Sequence, residues 1–156
     1  MDQYSIVKII HIISATIVFG TGLGIAYFML MGQRSRDFHE RRFAARVTVL
    51  ADYTLTLPAV IVQPLSGAWL VWKAGFDWND FWLVGTYALY ALAGLCWVPV
   101  VFIQFAMKRM LDRQAVDGTF NEAAFNRLLR WWFALGWPAF GGLVVIFGLM
   151  VIKPSW

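Results

Sequence analysis

Residues 81–107 read FWLVGTYALYALAGLCWVPVVFIQFAM, a run without one charged side chain. An α-helix of this length rises about 40 Å, which exceeds the roughly 30 Å hydrocarbon core of a bilayer. Because lipid offers no hydrogen bonds to backbone amides and carbonyls, an apolar run of this kind must be helical to satisfy them. The stretch therefore predicts a transmembrane α-helix.

The rest of the chain repeats this pattern, with further apolar stretches at about 5–31, 47–72 and 131–152. Hydrophobic residues make up 60% of the 156 residues and charged residues 14%, whereas a soluble domain carries about 25% charged residues. A soluble domain of this size has too little interior to bury so much apolar surface. We therefore predict an all-α integral membrane protein: a single membrane domain over 1–156 that forms an antiparallel four-transmembrane-helix bundle.

Basic residues are distributed unevenly between the two sides of the predicted bundle. The two loops after spans one and three carry Arg34, Arg36, Arg41, Arg42, Arg46, Lys108, Arg109, Arg113, Arg127 and Arg130. The other side carries only Lys8, Lys73 and Lys153, and its tryptophans are Trp69, Trp72, Trp78, Trp82 and Trp156. The positive-inside rule predicts cytoplasmic basic loops and periplasmic termini in a bacterial inner membrane. The expected partner of these loops is anionic lipid, and nucleic-acid binding is not expected.

Two short motifs predict helix starts in the basic loops. Asp37 and Glu40 precede the second span, and Thr119 and Glu122 stand in capping-box spacing ahead of the fourth. A capping residue satisfies backbone N–H groups that the first helical turn leaves free. We expect a helix that begins near Thr119 to run without a break into the fourth span.

Asp52 is the one carboxylate inside a predicted span. It lies six residues past Arg46 and level with Lys108 and Arg109 at the end of the third span. Because an unpaired charge in lipid is costly, we expect Asp52 to form an ion pair with one of these two residues.

His11 lies about 10 Å inside the outer end of the first span. Ionisable groups at this depth are candidates for function. Its helix face continues through Ala15, Val18, Gly22 and Ala26, small residues that allow a flat cofactor or another helix to approach closely. A neutral imidazole here could ligate haem iron. The alternative is a histidine that hydrogen-bonds a neighbouring helix.

Other polar side chains fall in the same outer half of the membrane: Gln63, Ser66, Thr86, Tyr87 and Tyr90. They could line a polar pocket at the depth of His11. Alternatively, they join helices through hydrogen bonds worth about 1 kcal/mol each.

Parts of the first two spans resemble the HemJ-type protoporphyrinogen oxidases. The first span reads KIIHII over residues 8–13, and the second reads TLTLP over 54–58, nine positions before Gly67. The resemblance implies b-type haem on His11. The chain departs from that family at 82–86, which read WLVGT without the expected lysine, and at 31–33, where MGQ stands in place of a second histidine. Haem binding is therefore expected over porphyrinogen oxidation.

The overall sequence is more similar to the bacterial membrane family known as domain of unknown function 2269. The similarity rests on AD at 51–52, PAV at 58–60, QPL at 63–65, WVPVV at 97–101 and KP at 153–154. It implies a four-span topology and no particular activity.

These observations lead to two functional predictions. The first is a small redox protein that binds haem b or contacts a quinone at His11, with Gly22, Gln63 and Tyr90 beside the cofactor. Such a haem would use one axial ligand, a non-histidine partner, or His11 of a second protomer. The second is a cofactor-free structural or assembly subunit, in which the first-span glycines Gly20, Gly22 and Gly24 and the aromatic faces of the helices form contacts in a homo-oligomer or larger membrane complex.

Overall fold

In the computed structural model, which describes residues 2–155, five α-helices follow one another. They are α1 (Gln3–Arg34), α2 (Phe38–Ala51), α3 (Leu57–Ala74), α4 (Phe81–Asp117) and α5 (Glu122–Ile152), and a π-helical turn at Asp52–Thr56 joins α2 to α3. Four helical segments are long and apolar enough to cross a membrane: α1, the continuous α2–α3, α4 and α5. The predicted all-α four-helix membrane fold is confirmed over these residues. The expected position of Trp156 lies outside them.

The helices are longer than the apolar runs that predict them. The helices are interrupted only at the three connections between spans. Their additional turns lie mainly at one end of the bundle, which holds the α1–α2 and α4–α5 connections and is called the arginine-rich end here. Residues 38–46, 108–117 and 122–130 are polar but compatible with a helix, so a search for apolar runs does not detect them. The helices therefore extend beyond the span that lipid requires.

Helix caps explain two of the boundaries. The Asp37 carboxylate accepts a hydrogen bond from the His39 N–H at 2.8 Å, as expected for the start of α2. The cap of α5 is Asn121, which accepts from the Ala124 N–H at 2.9 Å, and not the predicted Thr119, which hydrogen-bonds Asp117 instead. The prediction that this helix runs unbroken into the fourth span is confirmed.

The π-helical turn follows from a proline near the middle of the second span. Pro58 has no N–H to donate to the Thr54 carbonyl, and the Leu57 N–H donates to the Asp52 carbonyl five residues back. This wider turn buries the side chains of Asp52 and Thr56. Single π turns inside α-helices occur frequently at functional sites.

Helix packing divides the bundle into two hairpins. The first consists of α1 with α2, the π turn and α3, and the second consists of α4 with α5. The hairpins meet mainly where α2 packs against α4, whereas α1 and α5 touch over a short stretch. Space is therefore left between the hairpins inside the membrane.

The arginine-rich end holds the two hairpins together. Met29, Ala45, Met107, Leu111 and Phe125 form a buried core there. Around it, the Asp112 carboxylate accepts from Arg42 of α2 and from Lys108 of its own helix, each at 2.8 Å. Gly32 lies so close to Ala44 that a Cβ atom at position 32 would overlap the Ala44 Cβ.

Candidate ligand-binding cavity

His11 joins α1 to α3 through both nitrogens of its ring. Nδ1 lies 2.9 Å from Ser66 Oγ, and Nε2 lies 3.2 Å from Gln63 Nε2. Ser14 donates to the Gln63 side-chain oxygen and to the His11 carbonyl at 2.9 Å. Because a Cβ atom at Gly67 would lie 3.0 Å from His11 Cε1, the ring packs directly against the α3 backbone. The structure thus brings the predicted residues His11 and Gln63 together.

One tautomer satisfies this whole cluster. The Ser66 hydroxyl donates to the Val62 carbonyl at 2.7 Å, so it accepts from His11 Nδ1–H. The Gln63 amide N–H donates to His11 Nε2. This assignment follows from the hydrogen-bond network, and it leaves a neutral imidazole with both nitrogens in use. The arrangement is that of a histidine linking two helices.

As arranged, the residues around His11 do not fit a haem. Iron ligation requires a free ring nitrogen, but Ser66 and Gln63 use both. The other histidine, His39, is exposed beside the α1–α2 connection and is not near His11. Haem ligation by His11 stays a prediction, which an absorption spectrum of the purified protein would check.

Gly22 and Tyr90, the other predicted site residues, belong to a different place. Both line a cavity of about 250 Å³ between the hairpins, whereas His11 and Gln63 are absent from its described lining. The Tyr90 hydroxyl donates to the Val60 carbonyl at 2.7 Å. That carbonyl is free because Pro64, four residues later, has no N–H to donate. The four predicted residues therefore divide into an interhelical cluster and part of a cavity wall.

Small residues create the cavity. Its wall includes Gly22, Ala26, Ala93, Gly94, Gly136 and Ala139, contributed by α1, α4 and α5. A Cβ atom built on Gly94 or Gly136 would meet no described atom within 4 Å. Most of the remaining wall is apolar and aromatic, as is typical of small-molecule sites.

The cavity has one polar end, formed by Asp52 and its neighbours. Asp52 is 4% exposed, and both of its carboxylate oxygens lack a hydrogen-bond partner among the described residues. Thr56, Trp97 and Gln104 lie near enough to interact with this carboxylate through their side-chain donors, although none of these contacts has the geometry of a full hydrogen bond. Trp132 lines the same cavity, and its Nε1 has no hydrogen-bond partner among the described residues. An acceptor and several donors thus face one apolar space.

The predicted ion pair of Asp52 with Lys108 or Arg109 is wrong. Lys108 pairs with Asp112 instead, and the ion pairs found within residues 2–155 include none to Asp52. The physical reason is position along the helix: Lys108 lies one turn beyond Gln104, towards the arginine-rich end, where Asp112 is within reach at i+4. The π turn directs Asp52 into the bundle.

Comparison with known proteins agrees with the topology. The family model described as a predicted integral membrane protein (DUF2269) matches residues 5–154. The chain belongs to this family. No curated protein and no solved structure matches it. Membership in DUF2269 confirms the resemblance expected from sequence, whereas the HemJ-type resemblance stays a prediction.

Within this DUF2269 protein, the polar end of the cavity was the part that sequence reasoning missed. Asp52 and Thr56 are spaced i, i+4, and Trp97 and Gln104 are spaced i, i+7, so each pair lies on one helix face. These spacings were the available signal, although they do not show that the two faces meet. Together the four side chains can bind a group that both donates and accepts hydrogen bonds.

Proposed function

We propose that this protein binds a quinone-class molecule in its reduced, hydroxyl-bearing form. The apolar part of the molecule occupies the cavity between the hairpins, and a ring hydroxyl donates to Asp52. The observation that carries the proposal is the buried Asp52 carboxylate at one end of an apolar cavity, where it forms neither an ion pair nor a hydrogen bond of full geometry within the described residues. This keeps the expected quinone contact and moves it from His11 to Asp52.

The mixture of donors and acceptors supports this class of ligand. A carboxylate accepts hydrogen bonds from hydroxyl groups, and the indole N–H of Trp97 and the amide of Gln104 donate to ring oxygens. Leaving these groups unpaired in a buried site costs about 1–3 kcal/mol each. A quinol would satisfy several of them at once and would place its ring among apolar side chains.

We also propose the orientation of the bundle in a bacterial inner membrane. Ten basic residues at the arginine-rich end favour a cytoplasmic location for that end. Asp52 then lies in the cytoplasmic half of the membrane, since it is 20 residues, or about 30 Å of helix rise, from Trp72 near the opposite end. Topology reporters fused after residue 36 and after residue 77 would test this, with a cytoplasmic signal expected only for the first.

The proposed function is tested by calorimetric titration of the purified protein in lipid nanodiscs, under anaerobic conditions. The ligands are a short-chain quinol and the matching quinone. We expect saturable binding that favours the quinol. Asp52→Asn should weaken quinol binding about tenfold or more, because a hydrogen bond to a charged group contributes about 1.5–3 kcal/mol, and should change quinone binding little.

Two further variants serve as controls. Gly94→Leu places a side chain in the empty space inside the cavity, so it should abolish quinol binding while the protein remains folded. His11→Ala should bind as wild type does. Binding that is unsaturable, or equal in Gly94→Leu and wild type, would overturn the proposal. If quinol binding fails in either of these ways and other proteins co-purify in stoichiometric amounts, the alternative prediction of a subunit in a larger membrane complex is supported.

A further inference from the structure

The cavity is closed at its polar end and open at its apolar side. Asp52 and Gln104 at the polar end are 4% and 1% exposed. By contrast, Leu23 of α1 and Trp137 of α5 line the same cavity and are 54% and 77% exposed. In a membrane those two side chains face lipid. The open side of the cavity is therefore the seam between α1 and α5, defined here by Leu23 and Trp137.

Along the boundary between α1 and α5, the two helices are in contact towards either end of the bundle, so the opening is limited to the stretch at Leu23 and Trp137. Towards the opposite end of the bundle, Phe19 packs against Phe140 and Phe147, with ring centroids 4.9 and 5.5 Å apart. Towards the arginine-rich end, Met29 of α1 lies in the buried core with Phe125 of α5. Between these contacts, α1 contributes Gly22 and Ala26, and α5 contributes Gly136 and Ala139, all of them small.

Cavity size limits how much of a ligand can be enclosed. Sites that bury most of a drug-sized molecule measure about 300–1,000 Å³, whereas this cavity measures about 250 Å³. It can hold a substituted ring and the first carbons of a chain. A longer chain must leave the cavity, and the seam leads directly into lipid.

We propose that the ligand is a long-chain membrane lipid whose ring enters sideways through the α1–α5 seam, while its tail stays in the bilayer between Leu23 and Trp137. This rests on the proposed function and adds the route and the tail. Trp137 is a positioning residue: it borders the tail at the opening and does not touch the polar end. Exchange with the bilayer then needs no passage through water.

Cross-linking the seam tests this route. In a Cys96→Ala background, which removes the single cysteine of the chain, Leu23→Cys and Trp137→Cys are joined by oxidation or by a short thiol cross-linker. Stopped-flow mixing then measures how fast a short-chain quinol binds and leaves. We expect both rates to fall at least tenfold in the cross-linked protein, with the equilibrium constant nearly unchanged, and to recover when the link is reduced or cleaved.

A matched pair controls for general stiffening. Leu89→Cys with Gly142→Cys links α4 to α5 where these helices approach each other away from the cavity wall, and it should leave both rates unchanged. Trp137→Ala, which removes an exposed side chain, should speed binding and release several-fold. Trp137→Ala should also weaken the binding of a long-chain quinol more than that of a short-chain quinol.

The outcomes separate the two proposals. If the fully cross-linked protein exchanges quinol as fast as the same double-cysteine variant before cross-linking, the lateral route is overturned and quinol binding is left standing. Absence of quinol binding in the wild-type protein would overturn both. Equal effects of Trp137→Ala on long-chain and short-chain quinols would overturn the assignment of the tail to the seam.

Discussion

Replacement of His11 by alanine distinguishes a structural histidine from a haem ligand. The change removes the ring's hydrogen bonds to Ser66 and Gln63. Interhelical hydrogen bonds in membrane proteins average about 0.6 kcal/mol, so the two together contribute about 1.2 kcal/mol. Ser66 keeps its bond to Val62, but the Gln63 amide loses a partner, and the ring no longer packs against Gly67. We expect a total loss of about 2 kcal/mol, a roughly thirtyfold change in the folded-to-unfolded ratio.

The assay is equilibrium unfolding in mixed micelles of increasing denaturing-detergent content, followed by circular dichroism. His39→Ala is the matched control. Because the His39 side chain is exposed, its replacement should change the free energy of unfolding by less than about 0.5 kcal/mol. Gln63→Ala combined with His11→Ala should be less destabilising than the sum of the two, since the residues share one hydrogen bond. A Soret band in protein from haem-replete cells, lost in His11→Ala, would refute this reasoning. So would wild-type stability of His11→Ala.

Two further changes test the packing. Gly32→Ala should lower the free energy of unfolding by about 1–3 kcal/mol, because its new Cβ overlaps the Ala44 Cβ. Adding Ala44→Gly should restore most of that loss, as measured in a thermal melt. If Gly32→Ala alone is as stable as wild type, the close approach of α1 and α2 at Gly32 is contradicted. Tyr90→Phe should cost about 1 kcal/mol in the unfolding assay, because the Val60 carbonyl loses its donor, whereas Tyr87→Phe at an exposed position should cost nothing measurable.

The fold was predictable because lipid leaves few choices. Four apolar runs in a chain with so few charges require four spanning helices, and the structure has them. The lengths of the helices were less predictable. Hydropathy marks only the part of a helix that contacts lipid, whereas α4 continues to Asp117 through polar residues such as Lys108 and Asp112 beyond the apolar run. Asp37 marked a boundary correctly because its capping bond involves residues two apart in the chain.

The site was predictable only in part. His11 and Gln63 were correctly expected at one depth, because depth follows from counting residues along a helix. Tyr90 was placed with them, yet the free carbonyl of Val60 holds it on the cavity wall. Asp52 was misjudged because its direction depends on the π turn. Pro58 predicts a break in the helix, but it does not show that the break takes the form of a π turn, which changes the hydrogen-bond register and rotates every later side chain relative to Asp52.

The division into hairpins has a consequence for how the chain is made. His11, Ser14, Gln63 and Ser66 all belong to the first hairpin, so their hydrogen bonds can form as soon as α3 has entered the bilayer. Asp52 is different, because Trp97 and Gln104 come from α4, which is synthesised later. During that interval the nascent protein carries an unshielded carboxylate on a surface that the second hairpin will cover. Arrival of α4 therefore shields this carboxylate, and the cavity is complete only when α5, which supplies residues such as Gly136 and Trp137, has followed.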